Sequence, residues 1–207
     1  MADKGAARFR WLRGLTITLQ ILFWIVIALE GLAAALWLAA LFIHKSDVPY
    51  VSLAVVACVA GALPYLTAML VLPVWTAAVA AARPPRKGDG TRLWAWLGFL
   101  IPGACYVAPA LVLRSLAHEA APRDGALRVL VVAFWSLRLT TTFLGGFLLL
   151  IACILVFGND ADRETPVWMG MLTVFIGSAA AFGIRLAARL SRAMVAHVTS
   201  TEQAGFF

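Results

Sequence analysis

The chain has 207 residues; 63% are apolar and only 13% charged, and 17 Lys and Arg against 10 Asp and Glu give a net charge of +7. Soluble domains hold about 45–50% apolar residues, so this composition, with a mean hydropathy of +0.92, excludes a soluble domain and marks an integral membrane protein. Nucleic acid is excluded as the partner of the surplus charge, because the basic residues flank apolar stretches instead of striping a soluble face; anionic lipid headgroups are the expected partner.

Residues 1–13 form a basic N-terminal segment with Lys4, Arg8, Arg10 and Arg13. The apolar stretch that follows, 14–43, is about twice as long as a signal-peptide core and runs on past the small residues Ala33 to Ala35, so a retained helix is expected. At 1.5 Å per residue it measures roughly 45 Å and must tilt or project beyond a hydrocarbon core of roughly 30 Å. Gly31 and Ala35, four apart, predict a packing seam on it. A second crossing is expected over 50–82, followed by a polybasic turn from Arg83 to Arg92 with Pro84, Pro85, Gly88 and Gly90.

The next apolar segment, 93–113, is interrupted by Pro102, Gly103 and Pro109. Each proline removes a backbone donor and clashes with the preceding turn. Crossings over 129–157 and 167–184 come next, the last with Thr173, Gly177 and Ala181 at seam spacing. Beyond it, 185–207 places Arg185, Arg189 and Arg192 on one face and Leu186, Leu190 and Met194 elsewhere, which predicts a cytoplasmic amphipathic tail along the inner leaflet.

Charge decides how many segments cross. If all five do, with the N-terminus inside, nine Lys and Arg lie inside and seven outside. If 93–113 enters and leaves on one side, fourteen lie inside: Lys4, Arg8, Arg10, Arg13, Arg83, Arg86, Lys87, Arg92, Arg114, Arg123, Arg128, Arg185, Arg189 and Arg192. Only Lys45 and Arg163 then lie outside, with Arg138 in the membrane, as the positive-inside rule prefers. The expected fold is therefore an all-α membrane bundle of four crossing helices plus one Pro/Gly-broken re-entrant or shallow segment. Both termini are expected on the cytoplasmic side of a bacterial inner membrane.

The broken segment has a pattern of its own: Trp94 and Trp96, then Ile101-Pro102, Pro109 seven residues later, and Arg114 five after that. From Trp94 to Glu119 it resembles a family of bacterial membrane proteins known as domain of unknown function 4328. The chain departs from that family's pattern at Cys105, Ala108 and Ser115. The resemblance implies a multi-helix membrane domain, with Trp96, Pro102, Gly103, Pro109 and Arg114 as its motif, and implies no activity.

Two ionisable residues fall inside crossings, Glu30 and Arg138; such residues are functional candidates because an unpaired buried charge is costly. Their opposite signs make them a candidate intramembrane pair, although their places along their helices differ by roughly 10 Å in depth. Cys58, Cys105 and Cys153 lie in apolar stretches without CxxC spacing, and His44, His118 and His197 are scattered, so neither a disulfide framework nor a metal site is expected. Tyr106, Arg114, His118 and Glu119 share one stretch, but adjacent residues point in different directions on a helix. No catalytic residue and no cofactor is expected. The leading expectation is a non-enzymatic accessory or interaction subunit, with a membrane-protein partner or a second copy; the alternative is a proton-coupled small-molecule transporter using Glu30.

Overall fold

The computed structural model describes residues 2–42, 49–82, 90–101, 104–158 and 165–204. Pro102, Gly103, Lys45, His44, Arg163 and most of the polybasic turn lie outside these residues, as do the side chains of Arg92, Tyr106 and Cys153. Six helices follow one another: α1 (Ala2–Phe42), α2 (Pro49–Ala82), α3 (Thr91–Leu100), α4 (Ala104–Ala120), α5 (Gly125–Gly158) and α6 (Thr165–Ala204). No strand occurs among the described residues. Four of the helices, α1, α2, α5 and α6, are long and apolar enough to cross a membrane. In lipid the backbone has no water to bond, so each spanning segment must satisfy its own N–H and C=O groups as a helix.

α1 is the hub. It runs antiparallel to α6, and its residues at intervals of about two turns meet small residues there: Thr16 bonds Ser191, Phe23 lies against Gly183, Glu30 against Gly177 and Trp37 against Gly170. It also runs antiparallel to α2, with Thr16 opposite Trp75 and Glu30 opposite Gly61. Recurrence about every seven residues is the spacing of shallow left-handed helix crossings. Of the expected α6 residues, Gly177 faces this seam, Thr173 is buried and Ala181 is half-buried. The α1 expectation is corrected: Gly31 and Ala35 are exposed, and a Cβ on Gly31 would meet nothing within 4 Å. Glu30, one position earlier, occupies the seam instead.

The broken segment is two helices. α3 ends at Ile101, whose extended backbone (φ −80°, ψ 119°) donates to the Leu97 carbonyl at 3.0 Å. α4 restarts at once, with Cys105 donating to the Ile101 carbonyl at 3.0 Å. The two helices lie antiparallel: Gly98 faces Ala108 and Pro109, while Gly90 and Trp94 share a groove with Leu111 and Ser115. A Cβ on Gly98 would come 3.0 Å from the Ala108 Cβ, so the glycine permits the close approach. With 10 residues, α3 reaches about 15 Å, half a hydrocarbon core. It starts beside the end of α2, and α4 ends in a short turn to α5, where Asp124 Oδ1 caps the new helix by accepting from Leu127 N–H at 3.1 Å.

α6 does not stop at 184. Leu186, Ala187, Leu190, Met194 and Val198 are buried in the main core with Leu12, Leu113, Leu116 and Leu127, while Arg185, Arg189 and Arg192 are exposed. The expected amphipathic face is present, but the bundle covers it, so the tail is part of the core instead of a separate segment on a leaflet. Arg10, Arg13, Arg114, Arg123, Arg128, Arg185, Arg189 and Arg192 gather toward the pole where α1 starts and α6 ends. Among the described residues no Lys or Arg lies at the opposite pole.

At Gly183 a Cβ would stand 2.6 Å from Phe23 Cε2 and 3.0 Å from Phe134 Cε2, inside a buried edge-to-face pair with centroids 6.3 Å apart. Gly183→Ala forces these rings apart, and overpacking of this kind costs about 1–3 kcal/mol. Thermal unfolding in detergent should therefore show a clear loss for Gly183→Ala and little change for Gly31→Ala; equal melting temperatures would contradict this seam.

Candidate functional site

Glu30 and Arg138 remain the two charges to place. Glu30 is buried, 2% exposed, in the α1/α2/α6 seam, and its Oε2 has no hydrogen-bond partner. Gly61 lies against the carboxyl: a Cβ there would stand 2.6 Å from Oε1, so the carboxyl would have to shift. Trp37, two turns further along α1 on the same side, is also buried and its indole N–H has no acceptor. Trp37 shares an apolar cluster with Ala33, Ala54 and Ala57. The Cys58 thiol is its neighbour in the same cluster.

Arg138 lies elsewhere. Its guanidinium sits over the Trp135 ring at 4.3 Å and near Phe99 at 5.7 Å, and its Nε donates to Met69 Sδ at 3.2 Å. Trp135 is three residues back on α5, so the helix itself brings the ring beneath the cation. Phe99 comes from the inner end of α3, edge-on to Trp135 with centroids 6.2 Å apart. Cation–π attraction grows when the partners are desolvated, so aromatic faces stabilise this charge where the sequence suggested a carboxylate. Glu30 and Arg138 form no ion pair. Arg138 is level with Met69 and Glu30 with Gly61, eight residues apart on α2, or about 12 Å. Tyr65 stands between the two levels, its hydroxyl 3.3 Å from Thr141 Oγ1.

The motif residues separate. Pro109 is buried against Gly98, while Trp96 and Arg114 are exposed; Pro102 and Gly103 lie outside the described residues. His118 is exposed and Glu119 half-buried. Among the described residues no group of three or more His, Cys, Asp and Glu could hold a metal ion.

One polar constellation escaped the sequence reading altogether. Thr16 Oγ1 donates to the Leu12 carbonyl at 2.8 Å and lies 2.8 Å from Ser191 Oγ; Trp75 Nε1 reaches Thr16 at 3.1 Å and Ser191 at 3.3 Å. Because Thr16 uses its one proton on Leu12, Ser191 is the donor in the hydroxyl pair. Every proton in the group is therefore committed. Thr16, Trp75 and Ser191 are ordinary residue types far apart in sequence, and only the fold joins them.

No family model, no curated protein and no solved structure matches the chain.

Separate seats for the two charges make a sharp prediction. Glu30→Gln and Arg138→Gln should lower stability independently, Arg138→Gln by about 0.5–2 kcal/mol through loss of the aromatic contacts. Their effects should add to within about 0.5 kcal/mol, as for residues without shared partners. A double variant clearly more stable than the sum of its parents, measured by denaturation in detergent, would show the two residues to be coupled.

Proposed function

We propose that the protein is a non-enzymatic accessory or interaction subunit of a bacterial inner membrane, with both termini cytoplasmic. The observation that carries this reading is the seat of Glu30. A carboxyl that exchanges protons with solvent or substrate needs a wet path, and a site that alternates needs room. Here the side chain is only 2% exposed and lies against Gly61 and Gly177 in the α1/α2/α6 seam. That favours a packing role over the alternative, a proton-coupled transporter using Glu30.

Orientation follows from the one-sided distribution of the described arginines, which suits the cytoplasmic leaflet and its anionic headgroups. The α3–α4 pair is then a re-entrant hairpin from that side, and its resemblance to domain of unknown function 4328 belongs to the same reading. The apolar outward faces of the crossings, such as Leu63, Leu66 and Leu70 of α2, are left for lipid and for a membrane-protein partner or second copy.

Two measurements bear on this. In proteoliposomes carrying a pH-sensitive dye, a panel of lipophilic cations should move no protons; substrate-dependent flux that Glu30→Gln abolishes and Glu30→Asp retains would replace this reading with the transporter. In a variant whose native cysteines are replaced, Gly125→Cys and Ser200→Cys should react with an impermeant maleimide only from the cytoplasmic side, and Ser46→Cys only from outside. External labelling at Gly125 would overturn the re-entrant hairpin.

A further inference from the structure

We propose that the groove between the basic ends of α1 and α6 is a binding site for one anionic phospholipid. This rests on the reading that the basic pole meets the headgroups of the inner leaflet, and it adds a defined site to that general attraction. The groove has a volume of about 660 Å³, with Phe9, Leu12, Ile17 and Val195 among its apolar lining. Arg13 and Arg192 also line it, one from each helix, and both are exposed.

Two guanidiniums on one groove repel each other, and the repulsion is stronger beside low-dielectric walls than in water. An anion between them removes that repulsion and supplies acceptors for charge-assisted bonds. Arg192 donates through Nε to the Ala188 carbonyl at 3.1 Å, which holds the side chain along the helix and leaves its terminal N–H groups for a ligand. Thr16 and Ser191 also line the groove, but their protons are engaged in the clasp with Trp75, so they add no donor. The arginines therefore select the charge of the occupant.

The lining selects its other end. The groove runs from Phe9 to Gln20, about 17 Å along α1. Its deeper part passes Ile17 and Ala188 toward the hydrocarbon core. A free phosphate would leave this apolar length empty, whereas a phospholipid with its phosphate at Arg13 and Arg192 lays an acyl chain along it. Hydrophobic contact and charge then act on the same molecule.

The test is lipid titration of the purified full-length protein in neutral detergent, followed by melting temperature. Dioleoyl phosphatidylglycerol should stabilise saturably, and phosphatidylcholine with the same chains should do so much more weakly. The double change Arg13→Gln/Arg192→Gln should raise the apparent Kd for phosphatidylglycerol about tenfold, the loss expected for charge-assisted bonds. The double change Arg114→Gln/Arg123→Gln, which removes two exposed cations outside the groove, should leave it within about twofold, as exposed pairs do. Ala196→Phe keeps both arginines and fills the groove from an exposed position, so it should also weaken binding, and it decides the matter if the Arg13/Arg192 variant does not fold. Equal weakening by the two arginine pairs, or tight binding in Ala196→Phe, would overturn the site while leaving general headgroup attraction standing. Equal stabilisation by the two lipids would overturn both.

Discussion

A three-residue hydrogen-bond clasp, Thr16 with Ser191 and Trp75, fixes α1, α2 and α6 against one another. In lipid the helices gain little from leaving their surroundings, because acyl chains are as apolar as leucine; close packing and interhelical hydrogen bonds must hold them together. The clasp also sets the register. With Thr16 held opposite Trp75 and Ser191, Glu30 falls opposite Gly61 and Gly177, and Phe23 opposite Gly183. A shift by one residue would bring Ala60 or Ala62 where Gly61 makes room for the carboxyl. The polar contact and the glycine spacing thus specify the same alignment from the two halves of the bundle.

The second constraint is the hairpin of α3 and α4. The chain turns from α3 to α4 at the end of a ten-residue helix, and backbone groups freed at a helix end in apolar surroundings need protein partners. Phe99 near that turn meets Trp135 of α5, and Arg138 lies over both rings while bonding Met69 of α2. The cation therefore joins three elements around the inner end of the hairpin. It is held there without a carboxylate, which leaves Glu30 free of any part in positioning the hairpin.

Much of the architecture was legible because it rests on one-dimensional signals. Apolar length marks the crossings, prolines and glycine mark the separation of α3 from α4, and the arginines mark one pole. What failed depended on which way a residue faces. Gly31 and Ala35 have seam spacing, but in an alanine-rich chain small residues lie on every side of a helix, and Glu30 holds the seam. The opposite signs of Glu30 and Arg138 suggested a pair, yet α1 and α5 place them at different depths. The aromatic seat had one local signal, Trp135 three residues before Arg138; its other half, Phe99, required the tertiary fold. Beyond 184 the apolar spacing cannot distinguish a face covered by lipid from one covered by protein, and here the bundle covers it.

The described residues near the two poles differ in kind. Toward the basic pole, the clasp commits every proton it contains, aromatic rings seat the one intramembrane cation, and the large core of leucines, Phe23, Phe134 and Met194 is continuous across all six helices. Toward the other pole, α1 meets α2 in a small cluster of Ala33, Trp37, Ala54 and Ala57, with two buried polar atoms unpartnered, Glu30 Oε2 and Trp37 Nε1. Each unmade bond forgoes about 1–3 kcal/mol, and short alanine side chains return little by dispersion. Glu30 and Trp37 are therefore held in place by the register that the clasp and Gly183 set between α1, α2 and α6.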